Sequence, residues 1–121
     1  MKVLVVDDSK AMRMIVNRTL KQAGFTGHAI LEATNGKEAL EVIAKERPDL
    51  VLSDWNMPEM KGIDLLRELR ERGDRTRLGF VTSESSPEIR REAEETGAAF
   101  VITKPFTPES FQNALEPILV G

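Results

Sequence analysis

Five side chains here are of types that do chemistry together: the carboxylates of Asp7, Asp8 and Asp54, the hydroxyl of Thr82 and the ammonium of Lys104. Each closes or follows a short apolar run. Asp7-Asp8 ends Val3-Leu4-Val5-Val6, and Asp54 comes after Leu50-Val51-Leu52, which lies between Pro48 and Pro58. Thr82 ends Leu78 to Val81, and Lys104 comes just after Phe100-Val101-Ile102. Such runs read as buried strands. In an open parallel sheet the carboxyl ends of the strands share one rim, which is where ligands bind. Three carboxylates held together there repel and rise in pKa unless a cation joins them. A hard divalent ion relieves that repulsion, and Mg²⁺ suits a partly open site with one or two carboxylates and water. With Lys104 as a fixed positive charge and Thr82 as a hydrogen-bond donor, the rim is half-built for phosphate. Taken singly, each piece has a plainer reading: Asp54 a turn residue, Asp8-Ser9 a helix cap, Thr82 a strand-end hydroxyl, Lys104 a surface lysine before Pro105. Their arrival together on one rim favours a site.

The segments between the runs must place those residues. After Asp8, an apolar stripe of Met12, Ile15, Val16, Leu20 and Ala23 predicts a helix that stops at Gly24. Ala29 to Ala33 is a weaker strand, and its Glu32 suggests a sheet edge. Asn35 and Glu38 have capping-box spacing ahead of Ala39, Leu40, Val42 and Ile43, a helix that Pro48 closes. Ile63, Leu65, Leu66 and Leu69 predict the next helix, ending near Gly73. Ser85-Ser86-Pro87-Glu88 offers a cap and a first-turn proline for a helix ended by Gly97. The last helix starts at Thr107-Pro108-Glu109 and carries Phe111, Ala114, Leu115, Ile118 and Leu119 on one face. Strand and helix thus alternate five times, which argues for a parallel sheet covered on both faces. The helix at residues 87 to 96 stands apart, with only Ile89 and Ala93 facing inward. Two readings of it stay open: a loosely anchored element that is easy to displace, or a plain solvated helix.

Bulk properties exclude several classes. The 121 residues make one domain, residues 1–121, and the absence of cysteine removes disulfides, thiolate metal sites and cysteine nucleophiles. The single His28, between a turn and an edge strand, reads as a solvated imidazole rather than as part of a metal cluster or a Ser/His/Asp triad. A net charge of −3 with 31% charged residues gives no overall pull toward nucleic acid or an anionic membrane. No apolar run approaches the roughly 18–20 residues that span a bilayer, and since Met1-Lys2 leads straight into a strand no signal peptide is expected. The expected compartment is the cytoplasm.

Val5-Val6-Asp7-Asp8, Ser53-Asp54-Trp55-Asn56-Met57-Pro58-Glu59-Met60-Lys61-Gly62, Val81-Thr82-Ser83-Glu84 and Thr103-Lys104-Pro105-Phe106-Thr107 together resemble the receiver domain of two-component response regulators. Within that family the stand-alone chemotaxis regulators are most similar. The resemblance spans the whole chain in order. It implies a flavodoxin-like, doubly wound α/β fold with a five-stranded parallel sheet, order 2-1-3-4-5, flanked by five helices. It also implies that Asp54 accepts a phosphoryl group from a phosphohistidine on a sensor histidine kinase. Mg²⁺ would be held by Asp8, Asp54 and the Asn56 main-chain carbonyl, with Asp7 acting mostly through metal-bound water. Lys104 would pair with phosphoryl oxygens, and Thr82 would swing inward to bond them. The fourth helix, fifth strand and fifth helix would then shift to control a partner protein, the flagellar motor switch being the target the resemblance suggests. Asn56 and Glu84 occupy positions that, by resemblance, tune access of water to the acyl phosphate, so slow self-dephosphorylation is expected. One position departs: the family usually carries Tyr or Phe three residues before the lysine, and here that residue is Val101. Strand alternation points Phe100 to the opposite face, so it cannot take that place.

Two other functions compete with this one. An aspartyl-nucleophile phosphatase of the haloacid-dehalogenase type needs a second aspartate two residues after the nucleophile. Asn56 follows Asp54 and Ser9 follows Asp7 at that offset, so neither fits. A receiver cut from a longer regulator with a DNA-binding or enzymatic output would look much the same, although the last helix running to Gly121 without a linker favours a complete protein. The expectation is a non-enzymatic, monomeric signalling module.

Overall fold

Apolar runs and helical stripes alternate as five strands and five helices. They are β1 (Lys2–Val6), α1 (Lys10–Gln22), β2 (Ala29–Ala33), α2 (Gly36–Glu46), β3 (Leu50–Ser53), α3 (Gly62–Glu71), β4 (Arg77–Thr82), α4 (Pro87–Thr96), β5 (Val101–Thr103) and α5 (Pro108–Leu119). The computed structural model describes residues 1–25, 27–84 and 86–119, the Leu119 side chain excepted. Ser85, the side chain of Leu119 and the run to Gly121 therefore lie outside the described residues. All strand pairs are parallel, in the order β2-β1-β3-β4-β5. This is the doubly wound, flavodoxin-like arrangement. β2 is an edge strand, as Glu32 suggested, and Glu32 accepts a hydrogen bond from Arg13 at 2.8 Å.

Alternation along the strands divides the core in two. Val3, Val5, Leu50, Leu52, Val81 and Ile102 face α1 and α5, whereas Leu4, Val6, Val51, Leu78 and Phe80 face α2, α3 and α4. Phe100 packs on the α1/α5 side and Val101 on the other, as the pleat requires. Phe100 lies over Gly79, where an added Cβ would come within 2.1 Å of its ring. The glycine is a notch that the aromatic fills.

Local signals account for most helix ends. Ser9, Asn35 and Ser86 cap α1, α2 and α4, their side chains accepting from the backbone N–H of Met12, Glu38 and Ile89. The capping box at α2 is half-formed, because the Glu38 carboxylate takes the Thr34 hydroxyl at 2.8 Å. Two readings of single residues need correction. Ile15 is 43% exposed, since it lies at the margin of a stripe centred on Val16, Thr19, Leu20 and Ala23. His28 is half-buried rather than solvated, and its Nδ1 is enclosed without a partner among the described residues.

Anchoring differs sharply between neighbouring helices. α3 buries Ile63, Leu65, Leu66 and Leu69, each side chain contributing roughly 1.5–3 kcal/mol. α4 fully buries only Ala93, with Ile89 partly covered. Polar ties supplement this small apolar contact: Arg67 pairs with Glu92, Arg70 donates to the Gly97 carbonyl at 3.2 Å, and Arg90 donates to Thr103 Oγ1 at 2.9 Å. Among the described residues no helix is long and apolar enough to cross a membrane.

Candidate functional site

Strand register brings the chemistry-bearing residues together. Val6 pairs with Ser53, so Asp7 and Asp54 leave adjacent strands side by side where the strand order reverses. The Asp54 N–H donates to the Val6 carbonyl at 2.9 Å, and the Asp7 N–H to the Ala33 carbonyl at 3.1 Å. Thr82 pairs with Thr103, and the Lys104 N–H donates to the Thr82 carbonyl at 2.9 Å, which closes the same rim from the β5 side.

On that rim one carboxylate oxygen from each of Asp7, Asp8 and Asp54 lies within 4.8 Å of the others. It is the one such acidic group among the described residues. Asp7 is buried, Asp54 half-buried and Asp8 exposed, so the cluster opens to solvent on one side. Lys104 Nζ stands 3.5 Å from Asp7 Oδ2 and 3.7 Å from Asp54 Oδ2. Asp7 Oδ1 accepts from the Ser9 N–H at 2.9 Å, so the residue that caps α1 also orients this carboxylate. Ser9 does the capping, and Asp8 is left facing the cluster. All-oxygen donors with one open side suit a hard divalent cation such as Mg²⁺.

Asp54 is held from below. Its Oδ1 accepts from the Trp55 N–H at 2.7 Å, leaving Oδ2 on the Lys104 side. Trp55 is buried against Phe80, ring centroids 4.9 Å apart. Gly62 lets the start of α3 come up under the loop: its N–H donates to the Trp55 carbonyl at 2.9 Å, and a Cβ there would meet the Asp54 carbonyl oxygen at 2.2 Å. Burial pushes the Asp54 carboxyl above the ordinary carboxylate range; Lys104 and the Trp55 N–H oppose the rise, Asp7 adds to it, and the Thr82 hydroxyl opposes it.

Thr82 is already inside, 1% exposed, with Oγ1 accepting from the Glu84 N–H at 3.1 Å. Its register partner on β5 is Thr103, and Val101, smaller than an aromatic ring, lies two residues earlier on the same face, paired with Phe80. The side chain of Asn56 lies on the exposed loop after Asp54 and donates to Glu84 Oε1 at 3.1 Å, a bridge between the β3–α3 and β4–α4 loops.

Two contributors were not foreseen. Arg13, on the first turns of α1, donates from NH1 to the Asp7 carbonyl at 2.7 Å while its Nε holds Glu32. It is only 12% exposed, and a basic residue one turn after the Ser9 cap was the available signal. The Trp55 N–H is a backbone donor, and no side-chain pattern announces it.

A family model described as the response regulator receiver domain matches residues 3–116. The chain is 39% identical over 120 residues to the chemotaxis protein CheY of Pseudomonas aeruginosa, covering 98% of this chain and 95% of that protein. It is 32% identical over 118 residues to the sporulation initiation phosphotransferase F of Bacillus subtilis, covering 98% and 93%. The crystal structure of the chemotaxis protein CheY4 of Vibrio cholerae superposes with a TM-score of 0.84 at 38% identity, covering 98% of each chain.

Proposed function

Since this chain belongs to the response regulator receiver domain family, we propose that it is a single-domain phosphoacceptor module in which Asp54 takes a phosphoryl group from a phosphohistidine on a sensor kinase. Asp54 Oδ2 forms the bond to phosphorus as the phosphorus–nitrogen bond breaks, and the departing imidazole takes its proton from solvent. The Trp55 N–H fixes Oδ1, which leaves Oδ2, the attacking oxygen, on the Lys104 side of the rim. Asp7, Asp8 and Asp54, with the Asn56 carbonyl, would hold Mg²⁺, which when bound supplies charge against the phosphoryl oxygens. Lys104 supplies the second positive charge, and the Thr82 hydroxyl donates to the transferred group. Little covalent work falls to the protein; the residues position and neutralise. The observation that carries this reading is one ammonium lying between two of three clustered carboxylates on the open rim.

The partner controlled by the phosphorylated state is a chemotaxis target, the flagellar motor switch being the candidate. The name of the Pseudomonas aeruginosa relative and its 39% identity support this over a phosphorelay role of the sporulation type, where the identity is 32%. The working compartment is the cytoplasm, and the unphosphorylated module is monomeric. A small phosphoramidate donor tests the chemistry directly. Intact mass should show one added phosphoryl group that hydroxylamine removes, dependent on Mg²⁺ and absent in Asp54→Asn. Persistent labelling of that variant would overturn the acceptor assignment.

A further inference from the structure

We propose that Arg90 carries the state of the rim to the N-terminal half of α4, through its hydrogen bond to Thr103; this rests on the phosphoacceptor reading of Asp54. The two halves of α4 are held by different elements. Arg67 to Glu92 and Arg70 to the Gly97 carbonyl tie its middle and C-terminal end to α3, and Ala93 is wholly buried. The N-terminal half has Ile89, partly covered, and Arg90, whose guanidinium reaches Thr103 Oγ1 at 2.9 Å.

Thr103 is the last residue of a three-residue strand that pairs only with β4. The next residue is Lys104, the ammonium of the rim. Its separations of 3.5 and 3.7 Å from Asp7 and Asp54 exceed the roughly 2.7–2.9 Å of a close charged hydrogen bond, so it has travel left. A phosphoryl group on Asp54 brings more negative charge and new acceptor oxygens, and Lys104 moves to meet them. That movement occurs at a short edge-strand end. Among the described residues, the side-chain hydrogen bond from there to α4 is the one Arg90 makes. With so little apolar surface to resist, the helix tilts about its α3-held end. Arg90 is a positioning residue: it touches neither the phosphoryl group nor its ligands.

The test follows amide hydrogen exchange across α4 in the full chain, with Mg²⁺ alone and with beryllofluoride as phosphoryl mimic, while Trp55 emission reads occupancy. In the native chain the mimic should change α4 exchange severalfold. Arg90→Ala and Thr103→Val should each shrink that change by about threefold or more, the double variant no further, while the Trp55 response stays. Arg90→Lys, which can keep one N–H···O bond, should retain it. A full-sized α4 response in Arg90→Ala or Thr103→Val with Trp55 still responding would overturn the link alone. So would a native chain whose Trp55 responds and whose α4 does not. A native Trp55 silent to the mimic would overturn the acceptor reading, and the link with it.

Discussion

Replacing Lys104 by Met removes a charge from the rim while keeping most of the side-chain stem. At an effective dielectric of about 20, unit charges 3.5 and 3.7 Å apart attract by about 4–5 kcal/mol. Desolvation of the ammonium offsets much of this. Breaking a buried pair from one side costs roughly 3–5 kcal/mol, and Lys104 is 19% exposed, so a loss of about 2–3 kcal/mol is expected. The sign with pH follows from the carboxylates. Burial already raises the Asp54 pKa, and removing Lys104 takes away the charge that most opposes the rise. A carboxyl whose folded pKa lies above its unfolded value keeps its proton longer when folded, so stability falls as pH rises through the folded pKa. The gap between variant and native chain should therefore be widest at about pH 8 and narrow toward about pH 5. Saturating Mg²⁺ should also narrow it, because the ion binds the folded state and meets no competing ammonium in the variant. Urea unfolding in chelator and in Mg²⁺, at both pH values, measures all of this. A gap of equal size in all four conditions would mean that Lys104 acts through packing, and the charge argument would be wrong.

Three further outcomes are expected. Asp54→Asn should raise the metal-free melting temperature, since it removes a charge that burial and Asp7 disfavour, and the increase should shrink as pH falls; a lower melting temperature at neutral pH would contradict this. Gly62→Ala should cost about 2–4 kcal/mol in urea unfolding and shift Trp55 emission, because its Cβ meets the Asp54 carbonyl oxygen at 2.2 Å and backbone must give way. Gly79→Ala should cost about 1–3 kcal/mol by displacing the Phe100 ring, and that cost should nearly vanish in a Phe100→Ala background, which a double-mutant cycle reads directly.

Most of the scaffold was legible in the residues because burial leaves a period. Leu50 to Leu52 and Val3 to Val6 are covered on both faces and so run unbroken, and the capping side chains of Asn35 and Ser86 act within three residues. The rim followed from topology, since Asp7, Asp8, Asp54, Thr82 and Lys104 each sit just past a strand or at its end. Contacts between distant segments left no such trace. The Asn56–Glu84 bond spans 28 positions and the Arg13–Glu32 pair 19, and neither follows from a helical or strand repeat. Ile15 misled because a stripe has margins: an apolar residue on the edge of the inner face counts toward the pattern and still meets solvent. The packing of Phe100 into the Gly79 notch needed the β4–β5 register, which no local pattern supplies.

Asp7 and Lys104 are 97 positions apart in the chain, with Asp54 between them. A parallel sheet has no hairpins, so no local segment can assemble even two of these groups from different strands without closing a long loop. The rim therefore comes into being only when the chain has finished folding. Truncated, nascent or partly unfolded forms carry the aspartate without its surroundings, so competence to be phosphorylated doubles as a certificate of the native state.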